Sequence, residues 1–266
     1  MKKILITLLV LTMTVSTVFA KENSVERYKL KSGQNVIIKE THDHPAVIID
    51  TWIKTGSVDE TSENNGVAHF LEHLFFKGSK KYPGNAFSEI TDSKGGITNA
   101  ATSKDFTHYY IEIPSQYFET ALDLHADMLL NPLIPKDELE KERLVVIREI
   151  SMTKDSPYRI LYNNMFKRFY PTHPYGREVI GTEKIISAIP REEIFKFYEK
   201  NYSPSNMTTI VVGDIKSKDV LKSIEKHFNK KTSVKTVKNR YKLDPAPVKQ
   251  TEEIIYKDIK YFAQNI

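Results

Sequence analysis

Gly66-Val67-Ala68-His69-Phe70-Leu71-Glu72-His73-Leu74-Phe75-Phe76-Lys77-Gly78 is the stretch around which this chain of 266 residues is organised. Val67, Phe70, Leu71, Leu74 and Phe75 recur at the intervals of one helical face, so the spacing predicts a helix from Gly66 to Lys77, stopped by Gly78. His69, Glu72 and His73 fall on the opposite face, which also carries Phe76 and is therefore not a plain water-washed surface. Residues three and four apart on a helix stand one above the other, so His69 and His73 can offer two ring nitrogens to one metal ion. Glu72 lies between them, placed to accept a proton from a water on that ion. With 8 His and 21 Glu in the chain, a shuffled sequence yields roughly 0.02 such pentapeptides, so two incidental histidines on a surface helix are the weaker reading.

The composition narrows what such a metal site can be. There is no cysteine, which excludes disulfides, thiolate zinc sites, iron–sulfur ligation and cysteine nucleophiles. With 40% hydrophobic and 27% charged residues, the chain reads as a globular fold with a real core. Met1-Lys2-Lys3, the apolar run Ile4 to Phe19 and the Val18-Phe19-Ala20 segment before polar Lys21 have the layout of a bacterial secretory signal over residues 1–20. Removing Lys2 and Lys3 lowers the formal charge from +5 to +3, too mild to argue for nucleic acid. No later stretch reaches transmembrane length, so the expected product is exported, periplasmic or secreted, with no stable membrane span after cleavage.

Strands are expected at Asn35 to Lys39, Ala46 to Lys54, Ile97 to Thr102, Phe106 to Ile113 and Met207 to Gly213. Helices are expected at Gln116 to Leu130, Lys136 to Lys154, Pro157 to Phe169, Pro190 to Asn201 and Ser217 to Phe228. This order favours an α+β fold, a mostly antiparallel sheet flanked by helices, over residues 21–228. Residues 229–249, with Lys230, Lys231, Lys235, Lys238, Arg240 and Lys242, read as a basic linker of solvated charge, and residues 250–266 as the start of a further, incomplete domain.

Zinc needs a third protein ligand, which must come from His or a carboxylate. His125 sits among Phe118, Leu122 and Leu129 and reads as a core or boundary residue; His42 and His44 read as a polar loop. Glu149 is flanked by Val145, Val146, Ile147 and Ile150, an expensive place for a carboxylate unless something positive meets it. Glu142 lies two turns earlier on the same face. Spacing alone leaves a solvated acidic face as an even alternative.

These residues resemble the inverted zinc peptidases of the pitrilysin/insulinase type, which include the mitochondrial processing peptidases. Gly66 to Leu74 with Lys77-Gly78 is similar to the family's motif helix, Gly95 to Thr102 with Thr107 to Tyr110 to its edge strand and hairpin, and Val146 to Ile150 to its distal glutamate segment. His173-Pro174-Tyr175-Gly176, Gly181-Thr182 and Tyr202 to Asp214 resemble later landmarks. The resemblance implies one Zn²⁺ per chain held by His69, His73 and Glu149, with Glu72 as general base and Glu142 orienting or tuning the site from behind. It implies that Asn99 and Ala100 lie on an edge strand that pairs with an extended peptide substrate. The implied activity is that of a zinc endopeptidase acting on unfolded peptides. Members of the family have a homologous second half that grips the substrate. A second-half subunit or dimer partner is therefore expected for full activity, the alternative being a catalytically weak peptide-binding subunit.

Overall fold

The computed structural model describes residues 24–228. The expected signal segment 1–20, the expected linker 229–249 and residues 250–266 lie outside the described residues. Six strands form one sheet: β1 (Glu26–Lys29), β2 (Asn35–Glu40), β3 (Ala46–Ile53), β4 (Ile97–Thr102), β5 (Thr107–Pro114) and β6 (Met207–Gly213), in the order β1-β2-β6-β3-β5-β4. Four of the five pairings are antiparallel; β2 and β6 run parallel. The α+β class and the mostly antiparallel sheet are therefore as the element order indicates.

Alternation decides which face is covered. In β3, Val47, Ile49, Thr51 and Ile53 are buried, while Ile48, Asp50 and Trp52 point to the other, partly open face. The register brings Ile49 opposite both Ile111 of β5 and Val211 of β6, so three buried branched side chains lie in a row across the sheet. Against this face pack α1 (Val67–Phe75), α3 (Phe118–Leu130) and α8 (Ser217–His227). Helix α4 (Lys136–Asp155) lies on α1 and is flanked by α5 (Pro157–Phe169) and α6 (Glu183–Ala188); α7 (Arg191–Asn201) also meets α1. Among the described residues no helix is long and apolar enough to cross a membrane.

Two helices escape the sequence pattern, α2 (Ala86–Ser93) and α6. Both are short, and α2 buries only Phe87 and Thr91 while α6 buries only Ile186, too few positions to display a period. The motif helix is also shorter than its apolar spacing suggests. It ends at Phe75, after which the Lys77 N–H bonds back to the Leu74 carbonyl and Gly78 turns the chain at φ +117°.

The core contains one polar thread. The Gln34 Nε2 amide donates to Thr209 Oγ1 at 2.8 Å, the Thr209 and Thr51 hydroxyls lie 2.8 Å apart, and Thr51 Oγ1 lies 3.0 Å from His125 Nε2. Burial pushes His125 down to about 3, so the ring is neutral and takes its place in the core. The turn before α4 is held from outside. Ile134 adopts φ +45°, rare for a β-branched residue, and Arg191 donates to the carbonyls of Ile134 at 2.6 Å and Leu133 at 2.8 Å.

Candidate active site

The residues singled out on α1 meet the distal half of α4. Helix α1 buries Val67, Ala68, Phe70, Leu71, Leu74 and Phe75, which leaves His69, Glu72 and His73 on its remaining flank. From α4, Glu149 Oε2 lies 3.7 Å from His69 Nε2 and 3.5 Å from His73 Nε2. The donor atoms of His69, His73 and Glu149 all lie within 4.8 Å of one another, and they are the one such His/carboxylate trio among the described residues. Ligands bound tetrahedrally at about 2.0–2.1 Å stand about 3.3 Å apart, so the two Glu149 separations are close to those of a single zinc site, and the donor chemistry of the trio suits that ion. His69 is largely buried, and this burial, helped by the charges of His73 and Arg159, pushes it down to about 3. A neutral imidazole is the form that binds a metal. Glu149 is 40% exposed, so of the two readings that spacing left open it is partly solvated while also facing the two imidazoles; Leu144 and Val145 on the same helix also face outward.

Glu142, two turns earlier, is buried at the back of the site. Its Oε2 lies 3.1 Å from His73 Nδ1, and its Oε1 accepts from Lys77 Nζ at 2.8 Å. The His73 ring is thereby oriented with Nδ1 toward Glu142 and Nε2 toward Glu149. Glu72 reaches the other way, to the end of β4, where its Oε2 accepts from Thr102 Oγ1 at 2.5 Å. Burial raises the Glu72 carboxyl and the nearby Glu149 charge raises it further, while the Thr102 hydroxyl and His73 offset part of this. A carboxylate poised upward in this way is suited to taking up and releasing a proton.

Among the described residues β4 is an edge of the sheet, with Asn99 opposite Tyr110 and Ala100 opposite Tyr109 of β5. The Ala100 N–H is taken by the Asn99 side chain, whose Oδ1 accepts it at 2.8 Å. An incoming strand would displace that side chain to pair with Ala100. His42 and His44 stay in a surface loop, His42 against Asp214 at 2.5 Å, away from the metal group. Thr102 and Lys77 are site residues that the sequence pattern does not single out. Lys77 stands one turn beyond His73 and Thr102 ends the edge strand, so each carries a positional signal, but only the packing of α1 on β4 and α4 joins them to the carboxylates.

An α+β domain presenting an inverted His-x-x-Glu-His helix, a distal carboxylate and an open sheet edge defines the class of inverted zinc peptidases. The family description "Insulinase (Peptidase family M16)" matches residues 35–183, and "Peptidase M16 inactive domain" matches residues 188–264. The chain belongs to peptidase family M16, a family of zinc metalloproteases. It is 35% identical over 204 residues to the uncharacterised zinc protease YmxG of Bacillus subtilis, covering 77% of this chain and 50% of that one. It is 33% identical over 237 residues to the zinc protease PqqE of Helicobacter pylori, covering 88% and 53%. Among solved structures, a protease from Helicobacter pylori superposes with a TM-score of 0.74 at 32% identity, over 85% of this chain and 54% of that one. The first half of the periplasmic protease PqqL of Escherichia coli gives 0.74 at 31% identity, over 83% and 48%. The chain thus spans about half the length of the relatives it matches.

Proposed function

We propose that this chain is the metal-bearing half of an exported zinc endopeptidase that hydrolyses extended, unfolded peptides. The observation that carries the reading is the convergence of Glu149 from α4 on His69 and His73 of α1, with Glu72 beside them and a free strand edge next to it. His69, His73 and Glu149 are the proposed ligands. A zinc ion held there supplies the positive charge that acidifies a bound water and polarises a peptide carbonyl. Glu72 takes the proton from the attacking water on its carboxylate and returns it to the leaving amine. The Thr102 hydroxyl, donating to Glu72 Oε2, fixes the direction in which the carboxylate faces. Glu142 holds His73 from behind and is itself balanced by Lys77. Asn99 and Ala100 are the proposed docking positions for substrate backbone along β4, which makes few demands on sequence. Export rests on the leader-like first twenty residues, and PqqL, a structural neighbour, is described as periplasmic.

A second reading has a specific observation behind it. The chain spans about half of its relatives, and its later part matches a domain described as inactive. It then serves as a zinc-containing peptide-binding subunit whose turnover depends on a homologous second half. Hydrolysis of a fluorogenic peptide by the chain alone, by the chain with such a half, and by Glu72→Gln in each case separates the two. The endopeptidase reading expects zinc retained and hydrolysis abolished in Glu72→Gln. Unchanged hydrolysis removes Glu72 from its role, turnover that appears only with the added half supports the second reading, and absence of turnover in every combination overturns both.

A further inference from the structure

The motif helix begins in an unusual way. The residue at its N-cap is Gly66 at φ +98°, which has no side chain to cap the free N–H groups of the first turn. A Cβ there would lie 2.7 Å from the Ile180 carbonyl and 2.9 Å from Gly181 Cα, so glycine is required by both conformation and space. The missing cap comes from six residues upstream. Glu60 Oε2 accepts from the Gly66 N–H at 2.9 Å and from Asn65 Nδ2 at 2.8 Å, and Glu60 Oε1 accepts from the Ala68 N–H at 2.8 Å. The same Asn65 amide donates to the Glu178 carbonyl at 2.9 Å, and Arg177 donates to the Glu60 carbonyl at 2.6 Å. Glu60 is 2% exposed, and no ion pair to its carboxylate occurs among the described residues. An anion at this place is stabilised by the N–H groups and dipole of α1.

We propose that Glu60 is a positioning residue for the metal site: its buried carboxylate seats the first turn of α1 against the 178–181 segment and so sets where His69, Glu72 and His73 stand relative to Glu149. Glu60 contacts neither the metal group nor a substrate, and acts through the helix. The Ala68 amide it holds adjoins His69, so a shift of the first turn is passed directly to that ring. A carboxylate is a costly way to cap a helix in a core, since burial works against its charge, and the ordinary cap, a serine or asparagine at position 66 itself, is barred by the Ile180 carbonyl and Gly181. What the carboxylate adds is two rigid acceptor atoms that grip N–H groups two residues apart and hold the turn at one rotation.

The inference rests on the metallopeptidase reading, and the test keeps the two apart. The full chain is stripped of metal and titrated with Zn²⁺ against a chromophoric chelator, and with Co²⁺ while the visible absorption bands are recorded, for the wild type, Glu60→Gln and Asn65→Ala. Urea unfolding is measured alongside. In Glu60→Gln an amide N–H replaces one acceptor and meets a backbone N–H. The expected result is zinc affinity lowered about tenfold or more with displaced cobalt bands, as for residues that orient ligands from behind. Asn65→Ala is expected to move both in the same direction by less, and it decides the matter if Glu60→Gln does not fold. Wild-type affinity and bands in a folded variant overturn the proposal. Weaker binding with unchanged cobalt bands in a chain of lower stability also overturns it, since Glu60 is then structural only. A wild-type chain that takes up neither ion sinks the metal-site reading itself.

Discussion

Glu60 also makes a prediction about pH that needs no metal. Burial pushes its carboxyl from 4.5 up to about 7, with the Gly66 and Ala68 N–H groups, Asn65 and the charge of Arg177 pulling it back. The folded chain therefore keeps a proton that the unfolded chain gives up between these two values, and the carboxylate that caps α1 is the form present above about 7. Stability from this group is fully present below pH 4.5 and is lost as pH rises through about 7. Moving a carboxyl's midpoint by one pH unit is worth about 1.4 kcal/mol, so between pH 5 and pH 8 the loss comes to roughly 2–3 kcal/mol. Burial also shifts nearby groups, Lys104 downward and Glu178 upward, so the quantity to read is a difference. Urea unfolding of the metal-free wild type and of metal-free Glu60→Gln at pH 5, 6, 7 and 8 supplies it. The wild type should lose roughly 2–3 kcal/mol relative to the variant across this range. Parallel stability curves would refute the reasoning, because they require Glu60 to be ionised in both states throughout.

Three further outcomes are expected. Glu142→Gln removes the charge that faces His73 Nδ1 and Lys77, and should weaken zinc binding about 10- to 100-fold in a chelator competition; unchanged affinity would show that His73 is oriented by its helix alone. Phe70→Ala empties a fully buried position under the Arg143 guanidinium, and should cost about 3–5 kcal/mol in urea unfolding, a smaller loss meaning that the core closes over the gap. Supplying a homologous second half should raise peptide turnover by this chain well above that of the chain alone, and equal turnover would refute the need for that half.

Local signals carry much of this. The His-x-x-Glu-His face, the alternation in β3 and β5 and the breaks at Gly78, Pro114 and Pro135 are short-range patterns, and they suffice for an α+β domain with one metal-competent helix. The strand order is not of that kind. β6 inserts between β2 and β3, parallel to the first and antiparallel to the second, after about 150 intervening residues, and no pattern within a strand announces such a partner. Glu149 shows the same limit. Its spacing from Glu142 puts both on one face of α4, yet only the crossing of α4 over α1 brings it to His69 and His73. Glu60 is silent for a deeper reason: two of its three donors are main-chain N–H groups, which nearly every residue possesses.

The two helices that build the candidate metal group are held unequally, and this bears on how the proposed site would work. Helix α1 is wedged among the sheet, α4 and α7 and capped by Glu60, so its two imidazoles have little freedom. The outer half of α4 packs on α5, a helix that buries no residue of its own and exposes Tyr158, Leu161, Met165 and Phe169. Glu149 therefore sits on the less supported side, 40% exposed, while Glu142 on the supported side is 10% exposed. Closing the 3.5 and 3.7 Å separations to metal-ligand geometry requires a movement of a few tenths of an ångström, and the softer helix is the one able to supply it.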